Sequence, residues 1–343
     1  MKTSVLLIGG VLALILAVGS PTLGLDVVTV PVGNPGNAGE LSGAGAGGYG
    51  PDRICGAVDY AYNMGKFEVT AEQYTEFLNA VADTDTYALY SESMWSSDTG
   101  CKIQRSGSSG SYTYSVDANR ADRPVNYISW GDAARFCNWL ENGQPTTGGQ
   151  DLTTTEDGSY YLNGATSSEA LLAVTREPDA TWVIPSEDEW YKAAYYDAPN
   201  AVYYDYPTGT DATPSNDLID PDPGNNATFY DGDFTIGSPY WRTEGGAHEN
   251  SESPYDTFDQ AGNVWEWTEA ILFGTARSMR GGAFSYDSLG ISIMQASFRD
   301  GDRPTDEADS FGFRVAYVPE PATLALLAFG GVGVLIRRKG VER

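Results

Sequence analysis

Basic residues are scarce in this sequence, and histidine is almost absent. The 343 residues carry 20 Lys+Arg against 47 Asp+Glu, with His248 the single histidine, for a formal net charge of −27. A surface this acidic repels phosphate backbones and anionic headgroups, which excludes charge-driven binding to nucleic acid or to a membrane face. One imidazole cannot build a site that needs two, so His-rich zinc centres and the two-His-one-carboxylate iron centre are ruled out. Cysteine is nearly as rare: Cys55, Cys101 and Cys137 form no CxxC pair for redox or metal binding. Their odd count leaves at least one thiol outside any internal bridge, and one bridge plus one buried thiol is expected in an exported chain. A phosphate-binding glycine loop, EF-hand spacing and the strand–helix alternation of a parallel doubly wound sheet are also missing. Disorder is excluded by what is present, because 41% apolar and 12% aromatic residues are enough to build a core.

Both ends read as addresses. Met1-Lys2, an apolar run from Val5 to Val18 and small residues through Gly24 have the order of a signal peptide over residues 1–24, and the run is short for a spanning helix. At the other end, Val318-Pro319-Glu320-Pro321-Ala322-Thr323 precedes an apolar stretch from Leu324 to Ile336, and Arg337-Arg338-Lys339 follows it. A short apolar segment with a basic stop suits a tail held in the inner membrane with its cations in the cytoplasm. The order also resembles the PEP-CTERM sorting signal of Gram-negative-type bacteria. That resemblance implies an exosortase-type sorting enzyme as partner and, after an inner-membrane intermediate, placement at the cell surface or in the exopolysaccharide matrix. Four segments follow: signal peptide 1–24, Gly-rich lead-in 25–56, a folded domain 57–317 and the tail 318–343.

Within the domain, three helix starts carry clear chemistry. Thr70 with Gln73 forms a capping box, and Tyr74, Phe77, Leu78 and Val81 follow on one face. Ser129 precedes Trp130-Gly131-Asp132, with Trp130, Ala133, Cys137 and Leu140 on one stripe and Asn142-Gly143 as the stop. Pro185-Ser186-Glu187-Asp188-Glu189 opens a third helix, in which capping already accounts for Glu189 without a glycosidase carboxylate pair. From Ala193 to Trp241 there is no Lys or Arg, while Asp197, Asp205, Asp211, Asp217, Asp220, Asp222, Asp231 and Asp233 recur among Pro, Gly and Asn. Oxygen-rich loops of this kind suit calcium, and they equally suit a solvated acidic surface. A Ser251–His248 pairing offers the residue types of a triad but lacks the nucleophile-elbow motif.

Five ordered segments carry a family signature. They are Met64-Gly65-Lys66-Phe67-Glu68-Val69-Thr70; Arg123-Pro124-Val125 with Ile128-Ser129-Trp130; Ile184-Pro185-Ser186-Glu187-Asp188-Glu189-Trp190; Phe258-Asp259-Gln260-Ala261-Gly262-Asn263-Val264-Trp265-Glu266-Trp267; and Arg280-Gly281-Gly282 followed by Phe311-Gly312-Phe313-Arg314. In this order the chain resembles the sulfatase-modifying-factor family, whose best-known member is the formylglycine-generating enzyme. The resemblance implies an α+β, C-type lectin-like fold: short helices on twisted antiparallel strands, with much irregular loop tied down by calcium. It places one ion at Asn263, Val264 and Glu266, and another at Asn226, Ala227, an Asp such as Asp233, and Phe234. Trp265 and Trp267 are expected as core. Arg280 and Arg314 are motif residues, and Arg314 reads as a buried structural ion pair rather than a substrate clamp.

The family enzyme holds copper with two thiolates between the Arg-Gly-Gly and Gly-Phe-Arg motifs, and Cu(I) requires such soft ligands. Here Arg280 to Arg314 contains no cysteine, and the two positions fall near Ile291 and Ala296. Copper is therefore not expected, and neither is the chemistry of iron-dependent sulfoxide-synthase relatives, which need a His-rich triad. The leading expectation is an exported, non-catalytic binder of extracellular polysaccharide or protein, with Tyr203, Tyr204, Tyr206, Tyr230, Tyr240 and Trp241 as candidate stacking rings. The alternative is a sulfatase-maturing or other oxidoreductase that uses the same pocket without the usual cysteine pair.

Overall fold

The computed structural model describes residues 24–285 and 290–319. The expected signal peptide, apart from Gly24, and nearly all of the expected tail lie outside these residues.

All three predicted helix starts are present. Thr70, Ser129 and Ser186 each accept a hydrogen bond from the backbone N–H three residues on, and Gln73, Asp132 and Glu189 each reach back to complete a capping box. The helices run Ala71–Val81, Trp130–Glu141 and Glu187–Tyr195, and each satisfies its orphan N-terminal donors from within its own first turn. Tyr74 and Phe77 of the first helix meet Phe136 of the second, with the Phe77 and Phe136 rings 5.3 Å apart edge to face. Phe313 of the Gly-Phe-Arg motif closes this aromatic core, also 5.3 Å from Phe136.

Two four-stranded sheets frame the core. In the first, Thr29–Val32 pairs with Tyr62–Gly65, then Ala316–Tyr317, then Trp182–Val183, all antiparallel. In the second, the hairpin Trp265–Leu272/Ala276–Arg280 is antiparallel, with Glu266 opposite Arg280, and Phe311–Gly312 joins it in parallel. Short helices on mostly antiparallel strands, joined by long loops, make this an α+β fold.

The glycine-rich stretch expected as a lead-in over residues 25–56 instead supplies three strands of the packed body. Thr29–Val32 enters the first sheet, and Glu40–Ser42 pairs with Arg53–Cys55. Its glycines permit close backbone approach: a Cβ on Gly48 would lie 2.1 Å from the Ser297 carbonyl oxygen.

The acidic stretch folds back on itself through Tyr196–Asp197/Val202–Tyr203 and through bridges between Ser215 and Asn226 and between Tyr230 and Phe234. Six of its eight aspartates are exposed, Asp197 is half-buried and Asp222 is buried. Asp222 is the exception because it accepts hydrogen bonds from Ser251 Oγ, Asn226 Nδ2 and the backbone N–H groups of Gly224 and Asn250.

A bridge between Thr228 and Gly262 docks this region onto the Gly-Asn-Val-Trp-Glu-Trp segment. Gly262 has φ +83°, and a Cβ there would meet the Thr228 carbonyl oxygen at 2.1 Å. Gly262→Ala should therefore cost about 1–3 kcal/mol of stability, read as a lower midpoint in thermal denaturation. A wild-type midpoint would show that the bridge is not required.

Candidate functional site

The third helix delivers Glu187 into a nest of arginines. Its carboxylate accepts from Arg280 Nε and Nη2 at 3.0 and 2.7 Å, from Arg299 Nε and Nη2 at 2.8 and 2.7 Å, and from Arg53 Nη1 at 3.1 Å. Burial pushes this carboxyl up, but Arg280, followed by Arg299 and Arg53, outweighs it and holds the group at about 2. Arg280 also donates to the carbonyls of Ala296 and Phe298, to Ser42 Oγ and to Cys55 Sγ. It thereby ties the Arg-Gly-Gly turn, the segment Ala296 to Phe298 and the N-terminal strands to one charge centre. Glu189 pairs instead with Arg176 at 2.8 Å and accepts from Tyr60, so the two glutamates serve different networks.

A second buried pair lies beside it. Arg314 Nε and Nη2 meet Glu266 Oε2 and Oε1 at 2.5 and 2.6 Å, and Trp190 Nε1 donates to the same Oε2 at 2.6 Å. Arg314 further donates to the carbonyls of Gly65 and Phe258. Arg314 and Glu266 thus form a buried, hydrogen-bonded ion pair. Glu68 and Asp259 share this interior. Burial, followed by the charges of Asp259 and Glu266, lifts Glu68 well above the carboxylate range, while burial lifts Asp259 to about 6.

This arrangement bears on the expected calcium ligands. Both oxygens of Glu266 are committed to Arg314 and Trp190, and Asn263 Oδ1 accepts from the Thr243 N–H at 3.1 Å. As placed, the Glu266 carboxylate and Asn263 Oδ1 are already engaged within the protein. In the second set, Asn226 Nδ2 donates to Asp222 and the Ala227 carbonyl accepts from Thr235. Asp233 is exposed and accepts from the Phe234 N–H, while the Phe234 ring packs between Tyr230 and Trp241. Among the described residues no three His, Cys, Asp or Glu side chains converge as a metal cage.

The two cysteine-equivalent positions are apolar in space as well as in sequence. Ile291 lies in the 3-10 turn Gly290–Met294, partly buried against the main core. Ala296 is buried in a cluster with Trp190, Tyr191, Tyr195 and Cys55. Spacing gave no sign that Cys55, from the glycine-rich stretch, would pack there. Burial and then the Glu187 charge raise its thiol pKa, so it stays protonated and weakly nucleophilic. All three cysteines are buried and unpaired, so the expected disulfide does not form.

The remaining candidates are also accounted for. Ser251 donates to Asp222, whereas His248 Nε2 meets Thr228 Oγ1 at 3.1 Å, so serine and histidine do not form a triad. Burial lowers the His248 pKa and keeps the ring neutral. The Tyr240 ring carries the guanidiniums of Arg123 and Arg120 at 4.3 and 5.0 Å, and Trp241 packs edge-on against Phe234. Neither ring is the free stacking face that was expected.

The model of the sulfatase-modifying factor enzyme 1-like domain matches residues 28–318. The chain belongs to the sulfatase-modifying-factor family. Residues 318–339 match the PEP-CTERM protein-sorting motif, which marks an exported, envelope-targeted protein of Gram-negative bacteria recognised by an exosortase-type enzyme. Among curated proteins, this family member is similar to the inactive C-alpha-formylglycine-generating enzyme 2 of Mus musculus, 24% identical over 209 residues, covering 57% of this chain and 50% of that protein. The Bos taurus protein of the same name is 25% identical over 205 residues, covering 56% and 50%. The chain thus spans about half the length of the curated relatives it matches. Among solved structures, the crystal structure of CarF superimposes with a TM-score of 0.50 at 17% identity, over 85% of this chain and 98% of that one. That likeness supports the fold.

Proposed function

We propose that this family member is a non-catalytic binding protein. It would be exported by its N-terminal signal, held briefly in the inner membrane by its tail, and placed at the cell surface or in the extracellular matrix. There it would bind a polysaccharide or protein. The observation that carries the reading is the apolar pair Ile291 and Ala296 where the family enzyme needs two thiolates. A buried alanine and a partly buried isoleucine cannot coordinate Cu(I), and one protonated thiol, Cys55, does not replace a thiolate pair. The names of the two similar curated proteins, both called inactive, agree with this reading. The scaffold around the lost site is intact, since Arg280, Glu187, Glu266 and Arg314 are all paired, and an intact scaffold without its metal ligands suits binding rather than turnover. The test is aerobic incubation of the copper-loaded protein with a cysteine-containing sulfatase peptide and a thiol reductant, with aldehyde read by mass spectrometry. No aldehyde above the protein-free copper control is expected.

A further inference from the structure

A cleft of about 640 Å³ opens beside the helices Ala71–Val81 and Trp130–Glu141 and the strand Trp182–Val183, within the size range of small-ligand sites. It shares no residue with the Glu187 and Glu266 networks or with the cysteine-equivalent positions. Its walls carry two indoles, Trp139 and Trp182, and polar groups from Glu76, Asn79, Gln144 and Thr146, but no Lys or Arg. Trp139 is held in place by its Nε1 bond to the Pro145 carbonyl at 3.0 Å. Glu76 and Thr146 are exposed, and among the described residues their side chains make no hydrogen bond with the protein.

Gln144 is unusual in two ways. Its φ of +58° is left-handed, following Gly143 at +78°, a conformation uncommon for a non-glycine residue and shared by thirteen others among the described residues. Its Nε2 donates to the Leu25 carbonyl at 3.0 Å, whereas its Oε1 is buried without a donor. Buried acceptors are ordinarily satisfied, so this oxygen calls for a hydroxyl or water. Gly24 stands against it, close enough that a Cβ there would lie 2.6 Å from Oε1.

The combination selects a ligand class. An indole face attracts the slightly positive C–H face of a sugar ring, and the Glu76 carboxylate, Gln144 Oε1 and the Thr146 hydroxyl are left to pair with ring hydroxyls, since the Asn79 amide and Gln144 Nε2 are already bonded within the protein. No Lys or Arg lines the cleft, which disfavours a uronate, sulfate or phosphate as the preferred group. We propose that this cleft binds a neutral saccharide unit, with Trp182 as the stacking face and Glu76, Gln144 and Thr146 as hydroxyl partners. The proposal rests on the exported-binder reading and gives that binder its ligand class.

The test is saturation-transfer NMR on the secreted protein with three neutral probes: cellotetraose, maltotetraose and chitotetraose. At least one should show transfer, and Trp182→Ala should weaken its binding about tenfold or more. Because Trp182 also meets Tyr317 edge-on at 5.1 Å, Thr146→Trp is the second variant. It fills the cleft from an exposed position without removing a packed side chain, and the same loss is expected. Tyr240→Ala should bind as wild type. No transfer from any of the three probes overturns the proposal, as does wild-type binding by both cleft variants. In the latter case the exported-binder reading survives with its site elsewhere. Aldehyde formation in the copper assay overturns the binder reading without touching the saccharide result.

Discussion

Replacing Glu187 by alanine should destabilise the protein by about 3–5 kcal/mol, the cost of removing one partner from a buried ion pair. The effect is large because Arg280 and Arg299 both lose their carboxylate, and both are buried. Their mutual repulsion would then act in a low-dielectric interior where, among the described residues, neither is hydrogen-bonded to another acid. For a domain of this size that corresponds to a fall of roughly 10 °C or more in the thermal midpoint. Glu187→Gln keeps an acceptor oxygen while losing the charge, so it should fall between wild type and alanine. The carboxyl is held at about 2 when folded, below its ordinary value near 4.3 in an unfolded chain. Its contribution is therefore fully present above about pH 4–5 and is lost as pH falls toward 2. Equal midpoints for wild type and Glu187→Ala would contradict the account of this network.

Arg314→Met should have a comparable effect, with its pH dependence in a higher window. Methionine fills the space but leaves Glu266 buried against Trp190 with Glu68 and Asp259 nearby. Three acids then share an interior without their cation, and a loss of about 3–5 kcal/mol is expected near neutral pH. These groups relieve the repulsion by taking protons. Asp259 already titrates near 6 in the folded protein, and burial with neighbouring charge lifts Glu68 further. A carboxyl whose folded pKa is raised binds more protons folded than unfolded, so it favours the folded state at low pH and loses that contribution as pH rises. The stability gap between wild type and Arg314→Met should narrow between pH 7.5 and 5.5, as measured by urea denaturation at each pH. A gap independent of pH would show that Arg314 acts through packing alone.

Much of this architecture is legible in the sequence because it depends on local chemistry. Thr70, Ser129 and Ser186 announce their helices through contacts three residues away, and such contacts survive whatever the tertiary fold does. The Gly-Asn-Val-Trp-Glu-Trp and Gly-Phe-Arg runs identify the family, and the absence of cysteine between Arg280 and Arg314 is plain from the letters alone.

What escapes such reading depends on distant partners. Glu266 has the oxygen chemistry of a calcium ligand, but its carboxylate is claimed by Arg314, 48 positions away. The glycine-rich stretch shows no strand periodicity because its pairing rests on backbone hydrogen bonds and close approach, as at Gly48. Tyr240 and Trp241 have the composition of a stacking platform, but arginines and Phe234 cover them. Trp182 and Gln144 carry no motif, and only the fold brings them to one cleft.

The central claim is that this family scaffold has lost its thiolate pair and acts by binding. The most direct measurement is aldehyde production from a cysteine-containing sulfatase peptide by the copper-loaded protein under air with a thiol reductant. The account predicts no aldehyde above the protein-free copper control, and it predicts that Cys55→Ser leaves that result unchanged. Turnover above the control, abolished by Cys55→Ser, would contradict it and make the lone buried thiol beside Ala296 part of an active centre.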